Sequence, residues 1–250
     1  MIGGNKMNSK KKVVALILAF CFIFMMPLSS YANEEHKILP YADEWVTQEE
    51  VMASYAEILE YIKRGEEIRK TAKETKANSY KTLSISALYQ DSGSWANSVM
   101  PCGHSNHKYK DVGCAMTAYA MALNYYSAGN TPVTVATTYQ NNHGNCCNFN
   151  SGLLVSDYPG RTRTISTGHS SSTFNNVLSA IVGAINADYP VVVKLVRPNG
   201  GTHFVTCYGY EIIGSNTYVY IRDPLYNGGK TSLNNYASSS VYPSSYSIIK

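Results

Sequence analysis

Val51, Tyr55, Ile58, Leu59 and Ile62 recur at helical spacing within an otherwise polar stretch. Thr47-Gln48-Glu49-Glu50 precedes them and reads as a capping box, with Thr47 as N-cap and Glu50 at the third helical position. The pattern predicts a helix to about residue 74, weakened by Gly65, and then a polar linker over 75–81. A stripe of this kind must cover a neighbour. After residue 83 the pattern predicts a short strand over 89–95 and a loop over 100–112 rich in Cys, His, Asn and Lys. A strong helix follows over 114–126, ended by Gly129-Asn130-Thr131-Pro132, with Thr131 capping a second helix over 133–140. Residues 141–160 read as an irregular loop. Residues 173–186 read as a helix carrying Phe174, Val177, Leu178, Ile181, Val182 and Ile185 on its apolar positions. The period then changes. Residues 190–196, 201–210 and 217–224 are β-branched or aromatic runs, the last two joined by the turn signal Gly214-Ser215-Asn216. Residues 236–249 are placed to close the sheet. Helices first and an antiparallel sheet afterwards make an α+β fold.

The first 32 residues stand apart. Lys6, Lys10, Lys11 and Lys12 form a basic start, residues 13–26 an apolar run too short to span a membrane, and Ser30-Tyr31-Ala32 a small-x-small cleavage site. They read as a signal peptide, so the product is expected to be secreted or associated with the cell wall, with no stable membrane anchor. Charge separates the rest into two parts. Residues 33–79 hold 11 acidic and 7 basic side chains, and residues 80–250 hold 6 and 10. The first part reads as a helical pro-segment or tether with its linker (33–80), the second as one domain (81–250). The mild basic excess carries no run interleaved with aromatics, which argues against nucleic acid. Nothing points to an oligomer, and the expectation is a monomer. Cys21 leaves with the signal. Of Cys102, Cys114, Cys146, Cys147 and Cys207, an odd number flags a free thiol, with Cys114 the obvious candidate. Cys102 is then expected to pair with Cys146 or Cys147. Cys102, His104 and His107, with His143 and Cys146 or Cys147, are also ligand types for zinc, but their spacing fits no finger pattern, and neither metal nor cofactor is assigned.

Cys114 sits where a loop ends at Gly113 and a helix begins. Unpaired backbone N–H groups and the helix dipole at such a position favour an anionic sulfur. A thiol nucleophile needs a base and a group that orients the base. His203 lies on one strand behind Gly200-Gly201, and Asp223 ends the next strand before Pro224. A hairpin joining the two strands sets His203 and Asp223 side by side, and packing the sheet on the Cys114 helix brings the imidazole over the thiol. An oxyanion needs two donors, for which the Cys114 N–H and the Gln90 amide are candidates. Each residue also has a plainer reading: Cys114 as a buried small hydrophobe or disulfide partner, His203 as a satisfied sheet histidine, and Asp223 as a turn initiator.

Together, Tyr89-Gln90 with Trp95, residues 113–118 with Asn124-Tyr125-Tyr126, His203-Phe204-Val205 with Gly209-Tyr210, and Ile221-Arg222-Asp223-Pro224 resemble the papain-like cysteine peptidases related to bacteriocin double-glycine leader peptidases. The resemblance covers roughly residues 83–230. It implies a papain-like fold, a helical half carrying the nucleophile packed on a C-terminal antiparallel sheet. It also implies Cys114 as nucleophile, His203 as base, Asp223 as orienting residue, Gln90 as oxyanion donor, and a peptide or protein substrate. One departure stands out. In the leader peptidases the glutamine lies only a few residues before the cysteine, within a transporter chain. Here 24 positions separate them, as in the stand-alone, exported branch, so cleavage after double glycine is not implied. Two rival functions use the same residues: a peptidoglycan amidase or endopeptidase acting on cell-wall peptide, and a catalytically silent papain-fold binding module.

Overall fold

The fold is that of a computed structural model, which describes residues 48–158, 160–166, 171–236 and 241–250. The expected signal segment and Thr47 lie outside the described residues.

The first element, α1 (Gln48–Thr75), runs unbroken through Gly65. Among its described residues the buried positions are Ile58, Tyr61, Gly65 and Ala72, with Ile68 partly buried, a spacing of alternating threes and fours. Tyr55 falls off this line and is 44% exposed. The face lies on α6 (Ser171–Asn186). At the crossing, a Cβ on Gly65 would stand 1.8 Å from the Ser179 carbonyl oxygen, and one on Gly183 would stand 1.9 Å from that of Tyr61. Gly65 is therefore a point of backbone contact rather than a weak spot in the helix. Polar bonds fix the seam. Arg69 donates through Nη1 to Ser179 Oγ at 2.7 Å and through Nε to Thr217 Oγ1 at 3.1 Å. Lys250 Nζ meets Glu57 Oε1 at 2.6 Å.

The sheet is wholly antiparallel in the order β1–β4–β3–β6–β2, with β5 also on β4. Its strands are β1 (Ser79–Thr82), β2 (Thr162–Ser166), β3 (Val191–Val196), β4 (Thr202–Ile213), β5 (Asn216–Arg222) and β6 (Tyr242–Ile249). Strand β4 is the hub. It pairs with β3 over its first half, with β1 over its second, and with β5 along its other edge. β3 is almost continuously apolar because both its faces are covered. Val191, Val193, Leu195, Val205 and Cys207 belong to the core shared with α1 and α6. Val192 and Phe204 belong to a second core, built with α3 (Cys114–Leu123) and α4 (Pro132–His143). Thr206 Oγ1 donates to the Ala118 carbonyl at 2.7 Å, tying β4 to α3.

Several local expectations shift. Residues 89–98 form turns rather than a strand, since Gly93 and its neighbours bend the chain and Trp95 Nε1 donates back to the Tyr89 carbonyl at 2.9 Å. α3 stops at Leu123, and the side chain of Asn124 exchanges two 2.8 Å bonds with the backbone of Asn130. α4 has the expected Thr131 cap, a capping box closed by Thr134, and extends to His143 before a left-handed Gly144. The loop expected over 141–160 contains α5 (Ser151–Asp157), capped by Asn150. β1 and β2 were not expected. Cys102 pairs with Cys147 across a Cα separation of 5.8 Å. Among the described residues three thiols, Cys114, Cys146 and Cys207, remain free, the last two buried. No described helix is long and apolar enough to cross a membrane.

Candidate active site

A short helix, α2 (Tyr109–Val112), delivers the chain to Gly113, which starts α3 without a side-chain cap. A Cβ on Gly113 would stand 2.4 Å from the Tyr109 carbonyl oxygen. Cys114 opens α3 and is partly exposed, while residues 115–123 behind it are all buried. The only side chain of the helix near solvent at this end is thus the thiol.

His203 is the second residue of β4, and Asp223 follows the end of β5. The hairpin register sets Arg222 opposite Thr206, so Asp223 lies within reach of the start of β4. His203 Nε2 and Asp223 Oδ1 are 2.8 Å apart, and both residues are at most 5% exposed. With Nε2–H given to Asp223, Nδ1 remains for the sulfur of Cys114, the thiol that acts on the imidazole. Burial works to lower the His203 pKa. The bonds to Asp223 and Cys114 outweigh it and push the value up to about 9. Asp223 is held below the usual carboxylate value. Burial opposes this too, but His203, Tyr236 and the Lys230 N–H outweigh it.

Among the described residues Asp223 has four donors. Oδ1 takes His203 and the Leu225 N–H at 3.0 Å, and Oδ2 takes the Lys230 N–H at 2.9 Å and the Tyr236 hydroxyl. Sequence reasoning missed Tyr236, which no motif marks. The loop after Asp223 is pinned a second time by Asp91, whose carboxylate accepts from the Tyr226 and Asn227 N–H groups at 2.8 and 3.2 Å.

Gln90 is 3% exposed. Its backbone N–H donates to the Pro224 carbonyl at 2.8 Å, and its side-chain Nε2 donates to the Lys110 carbonyl at 2.9 Å. It therefore spans from the neighbour of Asp223 to the short helix that leads into Cys114. Its Oε1 is buried without a hydrogen-bond partner. Exchanging the amide's O and N would set two acceptors face to face at Lys110, so the orientation is dictated and one Nε2 hydrogen is left over.

The residues considered for zinc separate. His143 Nε2 sits on Asp157 at 3.0 Å, and Cys146 is buried. Cys102, His107 and Cys147 bring potential ligand atoms within 4.8 Å of one another, but the two sulfurs are joined to each other. A groove of about 390 Å³ between α1 and residues 77–79 includes none of Cys114, His203, Asp223 and Gln90.

A helix-borne thiol facing a strand-borne imidazole, on helices packed against an antiparallel sheet, is the architecture of papain-like cysteine peptidases. The model of one such family, described as the Peptidase_C39 like family, matches residues 82–250, and the chain belongs to that family. No curated protein matches the chain. The matched segment starts after α1, although α1 contributes Ile58, Tyr61 and Ala72 to the core.

Proposed function

We propose that the protein is an exported cysteine peptidase that hydrolyses peptide bonds through Cys114, His203 and Asp223. The observation that carries this reading is the buried 2.8 Å bond between His203 Nε2 and Asp223 Oδ1, which leaves Nδ1 of the imidazole for the thiol at the start of α3. The Cys114 proton passes to Nδ1 of His203, and the sulfur attacks the substrate carbonyl. A C–S bond forms as the carbonyl electrons move to oxygen. The Cys114 backbone N–H and the spare Nε2 hydrogen of Gln90 hold that oxyanion. Its collapse breaks the C–N bond while His203 returns the proton to the leaving amine. His203 then takes a proton from water, whose oxygen bonds to the thioester carbon; collapse of that adduct breaks the C–S bond, frees the acid, and returns the proton from His203 to the Cys114 sulfur. Asp223 keeps the imidazole in the required tautomer and plane throughout.

The signal-like segment supports export, and the family supports a peptide substrate. The test is hydrolysis of a peptide library by the protein and by its Cys114→Ala variant. Cleavage by the protein alone is the expected result. Equal cleavage by both would remove Cys114 from the mechanism. Release of fragments from purified cell walls and from no peptide would instead make the substrate cell-wall peptide.

A further inference from the structure

We infer that Tyr236 is a positioning residue of this site, fixing the Asp223 carboxylate so that Oδ1 stays turned to His203. The inference rests on the reading of Cys114, His203 and Asp223 as a catalytic set.

The hydroxyl of Tyr236 donates to Oδ2, the oxygen that His203 does not use. A carboxylate can rotate about its Cβ–Cγ bond, and a donor on the far oxygen opposes that rotation. The Lys230 N–H shares this oxygen at 2.9 Å but belongs to the loop itself. Tyr236 comes from a different and firmer support. It ends a 3₁₀ turn over Leu233–Asn235, and Leu233 is wholly buried. Asn234 rivets the turn to β5 by accepting from the Val219 N–H at 3.0 Å and donating to the Thr217 carbonyl at 2.9 Å. The Tyr236 ring also leans on the imidazole, its centroid 5.8 Å from that of His203. One side chain therefore braces both members of the pair. Burial, followed by the bond to Asp223, pushes the phenol well above its ordinary value, so it remains a donor across the working range.

The charged and titratable groups around Asp223 are His203 on β4 and Tyr236. Beyond them stand Cys114 on α3, which faces His203 and Tyr236, and Arg197 after β3, which acts on the Tyr236 hydroxyl. Loss of the hydroxyl removes one of the donors that keep Asp223 ionised. Asp223 then takes up a proton at higher pH, and the imidazolium loses its partner sooner as acid is added.

The experiment compares the protein with Tyr236→Phe, which keeps the ring. Iodoacetamide labelling of Cys114 is followed against pH, with Cys114→Ala as background, and hydrolysis is followed on a peptide that the protein cleaves. The expected result is an acid limb of labelling moved to higher pH, with kcat lower by roughly tenfold, the worth of one hydrogen bond to a charged group, at unchanged KM. A Tyr236→Phe variant that folds and matches the protein in both readouts overturns the inference. Where Tyr236→Phe does not fold, Asn234→Ala, which loosens the turn and keeps the hydroxyl, is expected to move the limb in the same direction by less, and an unmoved limb overturns the inference. The peptidase reading fails differently: the unaltered protein labels like an ordinary thiol, with no raised reactivity in mild acid.

Discussion

Gly183→Ala adds one methyl group where α1 and α6 touch. The new Cβ would lie 1.9 Å from the Tyr61 carbonyl oxygen, 2.8 Å from the Tyr61 carbonyl carbon and 3.1 Å from the Gly65 nitrogen, where ordinary contact begins near 3.4 Å. All three are backbone atoms, so no side chain can swing aside. The helices must part by roughly 1.5 Å at the crossing. Overpacking of this kind costs about 1–3 kcal/mol where neighbours adjust, and parting the helices also thins the contacts of Ile58, Tyr61 and Ala72. Alanine's better helix propensity returns about 1 kcal/mol. With the thinned contacts added, the net expectation is a loss of about 2 kcal/mol. In a chain of this size that lowers Tm by roughly 4–8 °C. Thermal and urea unfolding followed by circular dichroism measure it, and iodoacetamide labelling of Cys114 is expected to be unchanged in the folded variant. A variant as stable as the parent would show that α1 and α6 are not in backbone contact and that α1 is a loose attachment.

Stability should also depend on pH through the buried pair. His203 has its pKa raised from 6.5 to about 9, so its contribution is complete below 6.5 and is lost as pH rises through 9. Asp223 is held below its ordinary 3.8, so its contribution is present above that value and is lost on acidification. Between pH 6.5 and 9, His203→Ala should therefore show a flatter decline in unfolding free energy than the parent; parallel curves would refute the coupling. Loss of the Cys102–Cys147 bond, which closes a separation of 45 residues, should cost about 2–4 kcal/mol. Melting of Cys102→Ser beside the parent measures this, and equal melting temperatures would refute it. Gln90→Ala should lower kcat by about 10²–10³ with Cys114 labelling unchanged; an unaltered kcat would take Gln90 out of the oxyanion site.

The pairing of His203 with Asp223 was more legible in the sequence than several of the elements around it. His203 and Asp223 were legible because β-branched runs on both sides of Gly214-Ser215-Asn216 define a hairpin, and a hairpin sets its two strands side by side. β2 was not legible. Its sequence, Thr-Arg-Thr-Ile-Ser, holds one aliphatic residue and lies along β6 at the end of the sheet order. α5 is seven residues long, too short for periodicity to show. Gly65 was misjudged for a deeper reason. Intrinsic propensity makes a glycine a defect, and its purpose depends on Ser179, more than 100 positions away. Spacing could not choose between Cys146 and Cys147 as the partner of Cys102, since the two are adjacent. Tyr236 is one of 21 tyrosines, and only the fold distinguishes it.

The Asp223 carboxylate bonds His203 and also closes the loop that follows, through the N–H groups of Leu225 and Lys230. These two tasks tie the loop's length to the chemistry. An insertion between residues 225 and 230 would pull a donor off the same oxygens that hold the imidazole in place. At 226 and 227 Asp91 grips the loop through backbone N–H groups, so the Asn227 side chain is under no such restraint, while the Tyr226 ring, 63% exposed, packs edge-on against Tyr89 at 5.1 Å. Exchange of the exposed side chain at 227 is therefore expected to leave the Asp223–His203 bond intact, while a change in the loop's length is expected to disturb it.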